Sequence, residues 1–121
     1  MAELRESHLR YLLAIYELGR LMPDVGTQDI AKNLNCSKAS VTKMTGILME
    51  MELLVREKYG KIYLTDTGFL LAKDMLRCVE RIRERFPDLG LDLTEEETGD
   101  FIRMMVFNLP ERCRKRLAGR V

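Results

Sequence analysis

Apolar residues between positions 4 and 21 fall at Leu9, Leu12, Leu13 and Tyr16, with Ile15 and Leu18 widening the stripe, which is the spacing of an amphipathic helix. Met22-Pro23-Asp24-Val25-Gly26 ends it, since Pro23 biases its predecessor away from helix and Gly26 tolerates a turn. The next helix is short. Thr27 is placed to cap it, Asp29 suits its first turn, and Ile30, Ala31 and Leu34 form its apolar side. Asn35-Cys36 makes a turn and Ser37 caps a third helix, in which Val41, Met44, Leu48 and Met51 recur at i, i+3, i+7 and i+10. The helical period then stops. Leu54-Val55-Arg56-Glu57-Lys58 and Lys61-Ile62-Tyr63-Leu64, joined near Tyr59-Gly60, predict a hairpin. Thr65 caps a long helix from about Asp66 to Phe86, with Leu70, Leu71, Met75, Cys78, Val79 and Ile82 on its inner side. Beyond Pro87-Asp88-Leu89-Gly90, Thr94-Glu95-Glu96-Glu97 is a capping box that opens a helix carrying Phe101, Ile102, Met105 and Val106. Pro110 belongs to the first turn of a final basic helix, Glu111 to Leu117.

Helix, tight turn, helix and hairpin together outline a winged helix-turn-helix. The expected fold class is mainly α: a winged helix-turn-helix with a two-stranded wing over residues 1–68, then a long linker helix and a short helical dimerisation region over residues 69–121. Neither short C-terminal helix can cover its apolar residues alone, so packing on the long helix or on a second copy is expected, and a two-fold homodimer is favoured.

The third helix has a second face. Lys38, Ser40, Thr42, Lys43 and Thr45 point away from its apolar stripe, all able to donate hydrogen bonds. Arg56, Lys58 and Lys61 gather around Tyr59 at the wing. A helix apolar on one side and short, polar and basic on the other suits the major groove of double-stranded DNA, and a cationic wing suits phosphates. The candidate DNA-binding residues are Thr27, Ser37, Lys38, Ser40, Thr42, Lys43, Lys58, Tyr59 and Lys61. An ordinary solvated face is the plainer alternative for the helix.

Composition adjusts this picture without overturning it. The chain of 121 residues is 46% hydrophobic and 32% charged, with a net charge of +1, so bulk basicity argues nothing about nucleic acid. The charge is instead segregated: a basic reading head, an acidic stretch from Asp92 to Asp100 and a basic one from Arg112 to Arg120. Near-zero net charge keeps a second reading open, a winged helix used for protein assembly without DNA. An enzyme is not expected, because there is no nucleophile–base pair, no glycine-rich phosphate loop and no carboxylate pair in apolar surroundings. Cys36, Cys78 and Cys113 lack metal-ligand spacing, and their odd number suits a reducing cytosol. No signal peptide is apparent, and no apolar run approaches the ~20 residues of a membrane span, so a cytoplasmic protein with no membrane partner is expected.

The run Asp29-Ile-Ala, Ser40-Val-Thr-Lys-Met, Leu53-Leu54, Glu57-Lys-Tyr-Gly and Leu64-Thr65-Asp-Thr-Gly68 resembles the diphtheria-toxin-repressor and manganese-transport-regulator family, over about residues 8–86. The resemblance implies a metal-dependent transcriptional repressor, with a Mn(II) or Fe(II) site built from carboxylates, histidines and sometimes Met or Cys. Counted without gaps from Ile15-Tyr16, Gly68 and the Ile102 region, the implied ligand positions fall on Arg10, Leu13, Val79, Arg83, Asp100, Arg103 and Met104, of which only Asp100 keeps ligand character. No metal is therefore expected in this degenerate site. Arg10, Arg83 and Arg103 either pair with Asp100, Glu80 or Glu84 where the metal would sit, or lie on solvated helix faces. His8, the one histidine, is expected on the helix surface. Met75, Cys78, Met104 and Met105 read as core filler ahead of a soft-metal site, Cys36 as a small buried residue, and Cys78 or Cys113 as redox switches only with a depressed thiol pKa.

Overall fold

A computed structural model describes residues 3–58 and 60–120. It divides into two compact units, residues 1–73 and 74–121, separated within one long helix. Among the described residues all six α-helices begin at or within two residues of the position that the sequence pattern assigns, the last at Glu111 with Pro110 as its N-cap.

In the first unit α1 (Glu6–Leu21) buries Leu9, Leu12, Leu13, Ile15 and Leu18, as its stripe requires. It also buries Tyr11, Ala14 and His8. His8 is thus not a surface residue: its Nδ1 accepts the Arg5 amide at 3.0 Å and satisfies one of the amides left open at the helix start. Helix α2 (Thr27–Leu34) opens one residue earlier than a Thr27 cap would have it. Gly26 is the N-cap, and the Asp29 carboxylate accepts the Gly26 amide at 2.9 Å. At the other end Asn35 takes the left-handed conformation (φ +53°), with the Cys36 amide on the Ala31 carbonyl and the Asn35 amide on that of Lys32. This is a Schellman closure, and it sets the sharp turn into α3.

Helix α3 (Lys38–Glu50) starts at Ser37, whose Oγ accepts the Ser40 amide at 3.0 Å. Val41 and Leu48 are fully buried, whereas Met44 and Met51 are half-buried. Thr45 corrects the expectation of an outward hydroxyl: it is buried, its Oγ1 donating to the Thr42 carbonyl at 3.1 Å, so a polar side chain is accommodated by back-bonding to its own helix. The hairpin is shorter than the alternation suggests. Strands β1 (Leu54–Arg56) and β2 (Ile62–Leu64) pair antiparallel with Val55 opposite Tyr63, and the Glu57 amide on the Lys61 carbonyl closes the connection between them. The Ile62 amide also reaches the Val25 carbonyl at 2.8 Å, which ties the wing to the α1–α2 connection. Helices α1, α2 and α3 and the two strands pack together around this core.

Helix α4 (Asp66–Arg85) is capped by Thr65, which accepts the Gly68 amide at 3.1 Å and donates to the Glu52 carbonyl at 2.8 Å. Met75, Cys78 and Val79 are buried as expected, but Leu70 is half exposed and Ala72 is buried instead. The helix ends in a 3-10 turn, Phe86–Leu89.

In the second unit the Thr94–Glu97 capping box forms as expected at the start of α5 (Glu95–Asn108), with reciprocal bonds of 2.9 and 3.1 Å. Ile102 and Val106 are buried on α5, while Phe101, Met104 and Met105 are exposed. In α6 (Glu111–Leu117) Arg114 is buried and donates to the Leu109 carbonyl, and the Cys78 thiol donates to the Arg114 carbonyl at 3.3 Å.

Two pKa shifts follow from this packing. Burial, reinforced by the Cys36 thiol 3.4 Å from its hydroxyl, pushes Tyr11 up to about 12. A neutral tyrosine is therefore favoured in the fold, and the stability it contributes is complete below pH 10 and falls as pH rises from about 10 to about 12. Spectrophotometric titration is expected to show one late-ionising tyrosine, absent in Tyr11→Phe. Burial likewise pushes the Cys78 thiol up, outweighing the pull of Arg114; a raised, buried thiol is inert, which removes Cys78 as a redox switch.

Candidate nucleic-acid interface

The outer face of α3 is made by what its inner face excludes. With Val41, Thr45 and Leu48 turned inward, Lys38, Ala39, Ser40, Thr42, Lys43 and Gly46 are exposed. Ala39, Thr42, Lys43 and Gly46 stand at i, i+3, i+4 and i+7, a small-residue ridge with one lysine on it. Ala39 and Gly46 keep the ridge low, so backbone can approach a groove floor closely. No acidic residue lies in the first turn of α3.

Ser37 and Ser40 are exposed but partly engaged with one another. The Ser37 hydroxyl donates to Ser40 Oγ at 2.9 Å, which leaves the Ser40 proton for an external acceptor. Thr27, the first residue of α2, accepts from Arg56 Nη2 at 3.0 Å. This bond joins α2 to the wing and commits both side chains, so Thr27 and Arg56 brace the head more than they reach out from it. Lys58 is exposed at the wing turn. Lys61 closes the turn directly before β2, where it lies 3.3 Å from Asp24 and near the Tyr63 ring. That ion pair is largely solvated and worth little, so a phosphate could exchange for it. Tyr59 lies outside the described residues.

A further group adjoins the head unannounced by the sequence pattern. Arg5 and Ser7, at the start of α1, share a cleft of about 690 Å³ with His8, Tyr11, Ser40 and Lys43. Their only signal was an arginine and a serine just ahead of an apolar stripe.

The implied metal positions do not fit a divalent cation. In the first unit Leu13 is buried in the core, and Arg10 is exposed and paired with Glu6. In the second, Val79 is buried, Arg83 pairs with Glu95 at 3.4 Å rather than with Asp100, Glu80 or Glu84, and Met104 is exposed. Arg103 Nη1 and Arg83 Nη2 each lie 3.3 Å from where a Gly99 Cβ would stand, so guanidinium groups crowd this part of α5. Aliphatic and guanidinium groups offer no lone pairs to Mn(II) or Fe(II). Among the described residues no group of three or more His, Cys, Asp or Glu side chains is gathered. Met75 and Cys78 are buried while Met104 and Met105 are exposed, so the soft-donor set is not assembled either.

No helix among the described residues is long and apolar enough to cross a membrane. No curated protein sequence matches the chain significantly. Among solved structures, the manganese regulator SloR superposes with a TM-score of 0.72 at 25% identity, over 91% of this chain and 51% of its own. The manganese-activated repressor ScaR in its apo form is 30% identical, with a TM-score of 0.65 over 89% of this chain and 51% of its own. A hypothetical protein from Sulfolobus solfataricus, SSo2273, shares the fold at 19% identity, with a TM-score of 0.68 over 96% of this chain and 88% of its own. The chain thus spans about half the length of the two named regulators. Residues 3–62 match the family described as iron dependent repressor, N-terminal DNA binding domain, and this segment carries α1, α2, α3, β1 and the first residue of β2. Through residues 3–62 the chain belongs to the iron-dependent repressor family, of which that segment is the N-terminal DNA-binding domain.

Proposed function

We propose that the chain is a cytoplasmic transcriptional repressor that reads duplex DNA with α3 and acts without a bound divalent metal. The observation that carries the reading is the exposed Lys38, Ser40, Thr42 and Lys43 face on the helix that the family match places in its DNA-binding domain. In this reading Ser37, Lys38, Ser40, Thr42 and Lys43 meet bases and phosphates, Lys58 and Tyr59 anchor the wing, Lys61 exchanges Asp24 for phosphate, and Thr27 holds the wing to α2. Arg5 and Ser7 add backbone contacts beside Lys43.

Residues 1–68 would be the reading domain and residues 69–121 the dimerisation region. Phe101, Met104 and Met105 support a two-fold homodimer, since they form an exposed apolar stripe at i, i+3 and i+4 on α5. Metal independence is supported by the donor set: of the seven positions that hold metal in the resemblance, Asp100 alone carries a carboxylate, and the rest carry Leu13, Val79, Met104 and arginines. The testing experiment is a gel shift on the chain's own upstream DNA with chelator, Mn(II) and Fe(II) in parallel. Equal binding in all three supports the proposal, and binding only with metal overturns its metal-free half.

The wing makes a graded prediction. Lys58 is exposed, whereas Lys61 must first leave Asp24. Lys58→Ala is expected to reduce the slope of log affinity against log salt by about one, and Lys61→Ala by less. Salt titrations of both variants measure the difference.

A further inference from the structure

A second cleft borders the wing, with no described residue of α3 in its lining. It holds about 570 Å³ and is lined by the end of α1, the α1–α2 connection, β2 and the start of α4. Its size falls within the range of small-molecule sites. Ile15, Val25 and Ile62 are buried and form its apolar floor. The walls are aromatic. Tyr16 and Phe69 meet with ring centroids 5.3 Å apart, and Tyr63 stands on β2. Phe69 is 44% exposed and Tyr63 40% exposed, so two aromatic rings border an apolar hollow without being covered.

Two cations sit at the rim. Arg20 lies 5.8 Å from the Tyr16 centroid, and Lys61 lies 5.9 Å from that of Tyr63. Arg20 forms no ion pair with a carboxylate among the described residues. Lys61 has only the solvated Asp24, and Glu57 is the one acid in the lining. A flat apolar hollow with an arginine fork and an exchangeable lysine at its mouth matches a planar ring bearing a carboxylate: the ring takes the walls, and the carboxylate takes the bidentate guanidinium.

We propose that this cleft binds a small aromatic carboxylate and that its occupation weakens operator binding through the wing. The lining includes Glu57, Lys61, Ile62, Tyr63 and Leu64, so much of the wing's inner side would touch the ligand. The ligand's carboxylate draws Lys61 inward, where it no longer reaches phosphate. Ligand binding stands by itself, whereas its regulatory consequence rests on the DNA-binding reading above.

The test uses 2-naphthoate, with 2-naphthamide and 2-naphthylmethylamine as neutral and cationic analogues, followed by amide NMR shifts on the whole chain. The acid is expected to give saturable shifts at Gly19, Ile62 to Leu64 and Phe69, and the amide and amine to bind at least ~10-fold more weakly, about the factor of one lost charge-assisted pair. Arg20→Gln weakens the acid ~10-fold. Gly19→Leu closes the cleft and abolishes binding with the fold retained, because a Cβ at Gly19 meets nothing within 4 Å. A gel shift with saturating acid shows operator affinity lowered at least ~5-fold. No saturable shift, equal binding of acid, amide and amine, or unchanged binding in Gly19→Leu overturns the site. Intact ligand shifts with unchanged operator affinity overturn the regulatory half. Intact ligand shifts with no operator binding in either state uphold the site and overturn the DNA-binding reading instead.

Discussion

Gly68→Ala is expected to lower the stability of the chain by about 3 kcal/mol or more, the tightest fit for an added methyl group among the glycines. The reason is local and geometric. A Cβ at Gly68 would lie 2.1 Å from the Leu53 carbonyl oxygen and 3.0 Å from its carbon. Both are backbone atoms, and neither can step aside cheaply. The Leu53 carbonyl also accepts the Thr65 amide at 3.2 Å, while the Thr65 hydroxyl holds Glu52 at 2.8 Å. The start of α4 is thereby clamped onto the end of α3 and the first strand of the wing. Moving α4 outward to make room breaks those bonds and shifts the hairpin. Gly19→Ala is the matched comparison, also in a helix but with open space around its Cβ, and it is expected to be neutral or slightly stabilising. Urea denaturation of the three proteins measures both values. Equal midpoints for Gly68→Ala and the parent chain would contradict the clamp.

Lys43→Ala is expected to weaken operator binding about ten-fold or more, consistent with ~1–3 kcal/mol for a lysine reading a base edge. Lys43 is the only cation on the exposed ridge of α3, and Ala39, Thr42 and Gly46 around it are too small to hold it away from the groove. Its loss should fall on discrimination as well as on affinity, so the ratio of operator to random-sequence binding drops with it. Lys73→Ala, an exposed lysine on α4, is expected to change neither. Fluorescence anisotropy at fixed salt, with operator and scrambled duplexes, separates the two components.

The order of elements was legible in the sequence because caps and periodicity agreed at each junction. Ser37, Thr65 and the Thr94–Glu97 pair all sit where their hydrogen bonds required. Thr27 misled because Thr and Asp29 both suit a helix start, and the carboxylate took the capping position at Gly26. Thr45 misled because a hydroxyl reads as outward in any polarity pattern, whereas in a helix it can bond its own backbone. His8 was expected on the surface and Tyr11 was passed over for a similar reason: each is half polar, and each is buried with a polar atom engaged, on the Arg5 amide and the Cys36 thiol. Side-chain partners farther apart were beyond reach of the pattern. Nothing local tells that Lys61 meets Asp24, that Arg56 meets Thr27 or that Arg83 meets Glu95. The resemblance supplied the positions to inspect for metal, and the residue types found there supplied the reason to doubt a ligand set.

Amide NMR mapping of the chain against an operator duplex tests the central claim most directly. The account predicts shifts concentrated at Ser37 to Gly46 and at Lys58 to Lys61, lost on raising salt and reduced in Lys43→Ala. Shifts confined to α5 and α6, or none at all with a folded chain, would contradict it.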